Sequence, residues 1–221
     1  MKRIFWDWNG TLLDDTEAAL RTLNRMLRRR GRPEITMEFY REHFAFPVRP
    51  FYERIGIVLA AENWDDIARE YHELYAAEPK ALNVEAHAAL AAVRARGARS
   101  SLLSALRQDL LEADLERYGL KGEFEFVYGT DNLDGASKLD RARALLARVP
   151  PQERGEVTMI GDALHDKEVA DALGVRCVLV SQGGHAHHRL AAVAPTGRTL
   201  LEAVALAHAD GGDEIEITIK G

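Results

Sequence analysis

The side chains that could carry out chemistry are spread along the chain, and several stand where an apolar run ends. Asp7 follows the apolar residues 4–6 and precedes the turn-forming pair Asn9-Gly10. A short apolar run closed by a turn signal predicts a buried parallel strand, and ligands bind at the carboxyl ends of such strands. Asp7 is therefore a candidate nucleophile or metal ligand. The alternative is that Asp7 only caps the helix that follows.

Further polar residues have a similar placement. Ser104 ends one predicted strand, Lys138 opens a predicted helix, and Asp162 and Asp166 follow another predicted strand. Because a doubly wound sheet brings the carboxyl ends of its strands to one edge, these side chains are expected beside Asp7.

This set of side chains suits phosphoryl transfer. Mg²⁺ takes oxygen ligands and can bridge carboxylates to a phosphate. Lys138 and the Ser104 hydroxyl would hold the phosphate oxygens, while Asp7 attacks in line to form an aspartyl-phosphate.

The elements that must position these residues alternate along the chain. Strands are predicted at 4–6, 100–104, 124–128, 157–160 and 176–180, and helices at 84–96, 108–118, 139–149, 166–173 and 200–208. This alternation predicts an α/β fold with a doubly wound parallel sheet. Apolar and polar residues alternate with period two in the tail, 211–221. This tail could add an edge strand or be disordered, and the sequence does not decide between the two.

A block without strands interrupts this rhythm between residues 16 and 80. Helices are predicted near 16–30, 36–44, 50–57 and 64–77, and most of the aromatic residues lie in this block. Trp64, Tyr71 and Tyr75 fall on one face of the last of these helices. A helical block between two βα regions indicates an insertion.

Composition excludes several classes of protein. The formal net charge is −6, which argues against a nucleic-acid-binding surface. No apolar run approaches a membrane span, and the N-terminus enters the first strand too early for a signal peptide. The single cysteine, Cys177, has no partner for a disulfide, so a cytoplasmic protein is expected. Its oligomeric state, monomer or homodimer, stays open.

Four motifs in order make the sequence similar to the haloacid dehalogenase superfamily of Mg²⁺-dependent phosphohydrolases. They are Asp7-Trp8-Asn9-Gly10-Thr11, Ser104, Lys138, and Gly161-Asp162 followed by Asp166. Within the superfamily the pattern most resembles phosphoglycolate phosphatase-like members. The resemblance implies a Rossmann-like core at 1–15 and 81–210, a small inserted helical cap at 16–80, and a tail at 211–221.

The resemblance also implies a role for each motif residue. Asp7 is the expected nucleophile, and Mg²⁺ is expected on Asp7, Asp162 and the backbone carbonyl of Asn9, with Asp166 acting through water or orienting Lys138. Lys138 is expected to neutralise Asp7 and the phosphate. The expected phosphoryl-binding groups are Ser104, Thr11 and the backbone N–H groups near Trp8 and Ala105.

Asn9 departs from the family pattern, in which phosphatases carry an acid–base aspartate at this position. An amide cannot exchange a proton near neutral pH, so general acid–base catalysis should be weakened. Three interpretations stay open: Asn9 positions water for slow turnover, another group such as His165 transfers the proton, or the protein only binds phosphate.

Two other reactions of the superfamily fit the sequence less well. Dehalogenases do not need Mg²⁺, which leaves the Gly161-Asp162 pair unexplained. Phosphonatases use a cap lysine, and residues 16–78 contain no lysine. We therefore expect a phosphatase acting on a small phosphorylated metabolite. The alternative is a catalytically weakened binding or regulatory protein.

Several weaker candidates remain. Arg41 and Arg49 could bind a substrate carboxylate bidentately, although solvated or structural arginines are the more common case. We expect Phe44, Phe46 and Phe51 to pack in the cap core. For the cluster His185, His187 and His188, a loop and helix start is favoured over a metal site.

Overall fold

The centre of the molecule is a parallel sheet in the computed structural model, which describes residues 1–130 and 138–209. The strands of these residues are β1 (Arg3–Trp6), β2 (Leu13–Asp14), β3 (Ala81–Leu82), β4 (Arg99–Arg107), β5 (Val127–Thr130), β6 (Val157–Gly161), β7 (Arg176–Val180) and β8 (Thr196–Gly197). Six of them form one sheet in the order β5-β4-β1-β6-β7-β8, and all its neighbouring pairs are parallel.

Helices cover both faces of this sheet. Those described are α1 (Thr16–Arg29), α2 (Met37–His43), α3 (Val48–Arg54), α4 (Trp64–Ala77), α5 (Ala86–Ala95), α6 (Gln108–Arg117), α7 (Lys138–Arg148), α8 (Leu164–Leu173), α9 (His187–Ala191) and α10 (Leu200–His208), with a 3₁₀ helix at Pro151–Glu156. Apolar residues of α5, α6 and α10 pack on one face, and those of α7, α8 and α9 pack on the other. The predicted doubly wound α/β fold is confirmed.

Strand β1 lies in the middle because it is apolar on both sides. Ile4 and Trp6 join the core cluster on one face, and Phe5 joins the cluster on the other. All three side chains are fully buried, and each such burial contributes about 1.5–3 kcal/mol of transfer free energy. A strand held from both faces gives the residue that follows it, Asp7, a fixed position.

Helices α1 to α4 pack around an apolar cluster of their own. This cluster includes Leu23, Leu27, Phe51 and Ile67. We call residues 16–80 the cap. A short antiparallel ribbon, β2 paired with β3, joins the two chain crossings between the cap and the sheet. The sequence did not predict this ribbon, because two-residue strands are too short to show periodicity.

Several element bounds differ from those expected. The strand predicted at 124–128 is observed as Val127–Thr130. Residues 125 and 126 still hydrogen-bond to β4, from the Glu125 N–H to the Ser100 carbonyl at 2.9 Å and from the Leu102 N–H to the Phe126 carbonyl at 2.8 Å. The helix start expected near His185, His187 and His188 is observed as α9, which begins at His187. Strand β8 was not predicted. The tail lies outside the described residues. Within 1–130 and 138–209, no helix is long and apolar enough to cross a membrane.

Candidate active site

Asp7 stands where β1 leaves the sheet. Its backbone N–H donates to the Ile160 carbonyl of β6 at 2.8 Å, so strand pairing holds the residue in place. Gly10, three residues later, has a φ of +74°, and a Cβ there would lie 2.3 Å from Asp162 Oδ2. The loop needs glycine at this position, because only a residue without a side chain lets the backbone approach the carboxylate so closely.

Three carboxylates meet beside this loop. One oxygen from each of Asp7, Asp162 and Asp166 lies within 4.8 Å of the others, and all three residues are buried. Lys138, the first residue of α7, donates from Nζ to Asp7 Oδ1 at 2.5 Å and to Asp166 Oδ1 at 2.7 Å. The sequence therefore placed these four residues together correctly, although they lie on three separate segments of the chain.

Burial dominates the electrostatics of this cluster. It raises the pKa of Asp7 to about 7, although the Lys138 ammonium opposes the shift. Burial and the neighbouring Asp7 carboxylate raise the pKa of Asp162 well above its usual range. Burial of Lys138 disfavours its charge, but Asp166 and Asp7 outweigh this and raise the pKa of the ammonium.

A divalent cation fits this donor set. Three ionised carboxylates and one ammonium leave a formal charge of −2 in a buried space. Buried charge without a partner is costly, and a hard cation that prefers oxygen ligands would both neutralise it and reverse the pKa shifts. Asp7, Asp162 and Asp166 are the residues that could hold Mg²⁺.

A turn after β7 fixes the Asp162 carboxylate. The Gly184 backbone N–H donates to Asp162 Oδ2 at 2.7 Å, and Thr11 Oγ1 donates to Oδ1 at 3.2 Å. A Cβ on Gly183 would lie 2.0 Å from Oδ2. Sequence reasoning missed this turn, although the adjacent glycines directly after a predicted strand were a usable signal. Thr11 contacts the carboxylate cluster rather than the cavity.

Asn9 is tied to a second buried carboxyl group, that of Asp15. Asn9 Nδ2 donates to Asp15 Oδ2 at 2.7 Å and to the Tyr75 hydroxyl at 3.0 Å, and the Gly10 N–H donates to Asp15 Oδ1 at 2.7 Å. The Tyr75 hydroxyl also donates to Asp15. Burial raises the pKa of Asp15, and these donors oppose the shift.

Asp15 occupies the N-cap position of α1, but its side chain makes no capping hydrogen bond there. The side chain points instead to the loop that follows Asp7.

The expected phosphate-binding residues occupy different surroundings. Ser104 is buried, and its hydroxyl accepts from the Leu106 N–H at 3.0 Å. Ala105 lines the cavity described below. Arg49 is exposed, and its guanidinium lies 4.5 Å from the centroid of the Trp64 ring. Arg49 does not line that cavity.

A cavity of about 250 Å³ lies between the carboxylates and the cap. Asp7, Lys138, Asp162 and Asp166 form its floor, other core residues such as Ala105 and His165 lie beside them, and residues of all four cap helices line the opposite side. Asn9 and Asp15 also line it. The geometry therefore offers a space for a ligand directly against the candidate nucleophile.

Aromatic residues of the cap contribute both to its core and to this cavity. Phe51 is buried in the cap cluster, as expected. Phe44 packs against Phe51 at a ring-centroid distance of 5.4 Å and also lines the cavity. Phe46 lines the cavity beside His165, with ring centroids 5.2 Å apart. His165, within the fourth motif, contacts Glu168 at 3.1 Å.

Arg41 contacts the core rather than the cavity. It donates from Nε to the Gly183 carbonyl and from Nη2 to the Gln182 carbonyl, both at 3.1 Å. His185 is buried beside the Phe44 ring, and burial lowers its pKa to about 4. Among the described residues, the only group placed to hold a metal is the Asp7 cluster, so the neighbouring histidines form none.

The fold of this chain is similar to the folds of several solved proteins. The chain is similar to Protein Tyrosine Kinase A from Mycobacterium tuberculosis (22% identity, TM-score 0.76, covering 94% of this chain and 98% of that one). It is also similar to a protein from Lactobacillus delbrueckii subsp. bulgaricus assigned as a phosphoglycolate phosphatase (16%, TM-score 0.73, 95% and 99%). A third is CbbY from Rhodobacter sphaeroides in complex with xylulose-(1,5)bisphosphate (20%, TM-score 0.62, 91% and 96%).

These likenesses concern the fold, because every identity is low. No curated protein matches the sequence. The model of one family, described as haloacid dehalogenase-like hydrolase, matches residues 4–180, which span β1 to β7 and include all the motif residues. The chain therefore belongs to the haloacid dehalogenase-like hydrolase family.

Proposed function

We propose that this protein is an Mg²⁺-dependent phosphatase that hydrolyses a small phosphorylated metabolite through an aspartyl-phosphate on Asp7. The observation that carries the proposal is the buried cluster of Asp7, Asp162 and Asp166, joined to Lys138 at the floor of a cavity. Membership of a hydrolase family supports it. The similarity to the Lactobacillus protein makes phosphoglycolate the first substrate to test.

Asp7, Asp162 and Asp166 would hold the cation, together with the backbone carbonyl of Asn9. When bound, Mg²⁺ would neutralise the phosphate oxygens and hold the phosphoryl group against Asp7. Lys138 would balance the negative charge that collects on Asp7 and the phosphoryl group. Ser104 and the backbone N–H of Ala105 are the proposed groups that orient the phosphoryl oxygens, whereas Thr11, which donates to Asp162, would hold that metal ligand in place.

The reaction proceeds in two displacements at phosphorus. An oxygen of Asp7 attacks the phosphorus and the ester P–O bond breaks, so that the alcohol leaves with the bonding electrons and takes up a proton. Water then attacks the phosphorus and loses a proton, the bond between Asp7 and phosphorus breaks, and inorganic phosphate leaves.

Asn9 limits the proton transfers in both steps. Its amide donates to Asp15 and to Tyr75, and an amide neither gives nor takes a proton near neutral pH. General acid–base catalysis typically contributes about 10²–10⁴-fold, so slow turnover is expected unless another group such as His165 supplies the proton.

A second candidate function is a binding or regulatory protein with weakened catalysis. Asn9 is the observation that favours it. Such a protein would keep the cation and the phosphate ligand but release almost no inorganic phosphate.

Phosphate release, measured with Mg²⁺ over a panel of phosphorylated metabolites, distinguishes the two candidate functions. We expect slow release by the wild-type protein, none by Asp7→Asn, and faster release by Asn9→Asp. The double variant Asn9→Asp/Asp15→Asn is the matched control, since it keeps one amide and one carboxyl across the same hydrogen bond. Release only by variants that carry aspartate at position 9 would favour the binding protein, and undiminished release by Asp7→Asn would refute the nucleophile.

A further inference from the structure

The cap side of the cavity is formed mainly by aromatic rings. They belong to α2 and the residue that follows it, to α3 and to α4: Tyr40, Phe44, Tyr52, Trp64, Tyr71 and Tyr75. Several are held in ring pairs, such as Tyr71 with Tyr75 at 5.7 Å and an interplanar angle of 12°. Ring pairs restrain one another, so this surface is preorganised rather than loosely packed.

One face of α4 supplies a large part of this surface. Trp64, Ala68, Tyr71 and Tyr75 line the cavity, at a spacing of three or four residues that places them on one side of a helix. Ile67 and Leu74 on the same helix are buried in the cap cluster instead. Trp64, Tyr71 and Tyr75 also pack against this cluster, so these rings contribute to the cap core and to the cavity wall together.

Cations are scarce on this surface. Of the described residues that line the cavity, the only lysine and arginine are Lys138 and Arg107. Lys138 is bonded to Asp7 and Asp166, and Arg107 is ion-paired with Asp109 at 2.6 Å. Residues 131–137 contain no lysine or arginine in the sequence. Recognition of a substrate carboxylate normally uses a bidentate arginine, and the cap presents none to the cavity.

We propose that the alcohol released by this phosphatase is uncharged and carries an aromatic ring, as an aryl or arylmethyl phosphate would provide. The inference rests on the proposed function and specifies its substrate class. The phosphoryl group would lie against Asp7 and Lys138, and the ring would lie among the cap aromatics. An apolar, uncharged leaving group complements this surface, whereas the carboxylate of phosphoglycolate would be desolvated there without a partner.

The space is adequate for such a ligand. A protein cavity of about 150 Å³ is enough to bind benzene. The observed volume of about 250 Å³ therefore leaves room for a phosphoryl group beside a single ring.

Equilibrium binding tests the proposal without depending on turnover. Benzylphosphonate and phosphonoacetate cannot be hydrolysed, and they differ in carrying a phenyl ring or a carboxylate. With Mg²⁺ and the full chain, we expect calorimetry to show benzylphosphonate binding at least about tenfold more tightly. Equal binding, or tighter binding of phosphonoacetate, would overturn the inference and leave the phosphatase proposal standing.

Variants on α4 identify the surface responsible. Tyr71→Leu should weaken benzylphosphonate about fivefold and leave phosphonoacetate unchanged, whereas Tyr71→Phe, which keeps the ring, should bind like the wild type. Ala68→Arg should shift the preference toward phosphonoacetate. Ala76→Arg, on the exposed side of the same helix, is its control and should change neither. An unchanged preference in both Tyr71→Leu and Ala68→Arg would contradict the assignment of this surface.

Binding of inorganic phosphate shows whether a negative result refutes the phosphatase proposal or only the proposed substrate class. If neither phosphonate nor inorganic phosphate binds in the presence of Mg²⁺, the phosphatase proposal fails and the substrate class fails with it. If phosphate binds but the ring gives no advantage, only the substrate class fails.

Discussion

Asp15 lies at the N-terminus of α1, but its side chain contacts the loop that follows Asp7 instead of capping that helix. Its carboxyl accepts hydrogen bonds from Gly10, Asn9 and Tyr75, and so connects the loop after the nucleophile to α4 of the cap. Asp14, its neighbour, is exposed. Two adjacent carboxyl groups therefore have opposite environments, and only one of them orders the active-site loop.

Replacing Asp15 should loosen that loop. Asp15→Ala leaves the buried Gly10 N–H without its acceptor and removes one of the two acceptors of the Asn9 amide. An unsatisfied buried donor costs about 1–3 kcal/mol. We expect a loss of this size in the free energy of unfolding, measured with urea, together with weaker Mg²⁺ binding. Asp14→Ala is the matched control and should stay within about 0.5 kcal/mol of the wild type. Equal stability of the two variants would show that the Asp15 contacts contribute nothing.

At the residue scale, sequence reasoning worked where chemistry follows a strong strand. Asp7, Asp162 and Asp166 stand after apolar runs or within the loop and helix that follow them, so sheet topology alone predicts that they meet. Asp15 and Gly184 were missed for a different reason. Their roles depend on which groups a loop turns toward, and no periodicity encodes that direction.

Helix α2 of the cap contacts the core at two places, the turn after β7 and helix α9. Arg41 of α2 donates to two carbonyls of the turn after β7, and Arg189 of α9 donates to the Arg41 carbonyl at 2.7 Å. The same turn supplies the Gly184 N–H that holds Asp162. The position of the cap is thus coupled to a proposed metal ligand through one short turn.

Removing the Arg41 side-chain contacts should weaken closure of the cap. Hydrogen bonds from charged donors contribute about 1.5–3 kcal/mol each when buried, and Arg41 is only partly buried. We therefore expect Arg41→Met to lower kcat/KM about tenfold, equivalent to about 1.4 kcal/mol, and to speed amide hydrogen exchange in α2. Arg69→Met, which removes an exposed ion pair with Asp66, should leave both unchanged. Loss of phosphonoacetate binding alone would instead indicate that Arg41 binds a carboxylate.

Among the helices and strands, the length of each element determined whether the sequence could predict it. Helix α4 was predicted with its observed bounds, Trp64–Ala77, because fourteen residues with an apolar face give a clear period. The β2–β3 ribbon and β8 have two residues each, which is too few to show one. Their pairing is set by the sheet and the cap around them.

Folding brings Asp7 together with Asp162 and Asp166, which lie more than a hundred residues away in the sequence. The folded chain therefore concentrates negative charge in one place. Raised carboxyl pKa values mean that the folded chain binds more protons than the unfolded chain between the unfolded pKa, near 4, and the folded pKa. For Asp7 the upper limit is about 7. Without metal, the contribution of Asp7 to stability is thus largest at low pH and declines as the pH rises through this window.

Mg²⁺ should reverse that trend, because it binds the ionised carboxylates and competes with their protons. At a concentration 100 times the dissociation constant at pH 8, it would add about 2.7 kcal/mol, or roughly 5–10 °C in Tm for a chain of this size. At pH 5.5, Mg²⁺ must displace the protons that the raised pKa values of Asp7 and Asp162 favour, so binding weakens and the gain in stability should be smaller. Thermal unfolding at both pH values measures the difference.

Two variants test where the cation binds. Asp162→Asn should abolish the Mg²⁺ effect, and Asp171→Asn on the exposed side of α8 should retain it. A gain in Tm independent of pH would show that the cation binds elsewhere.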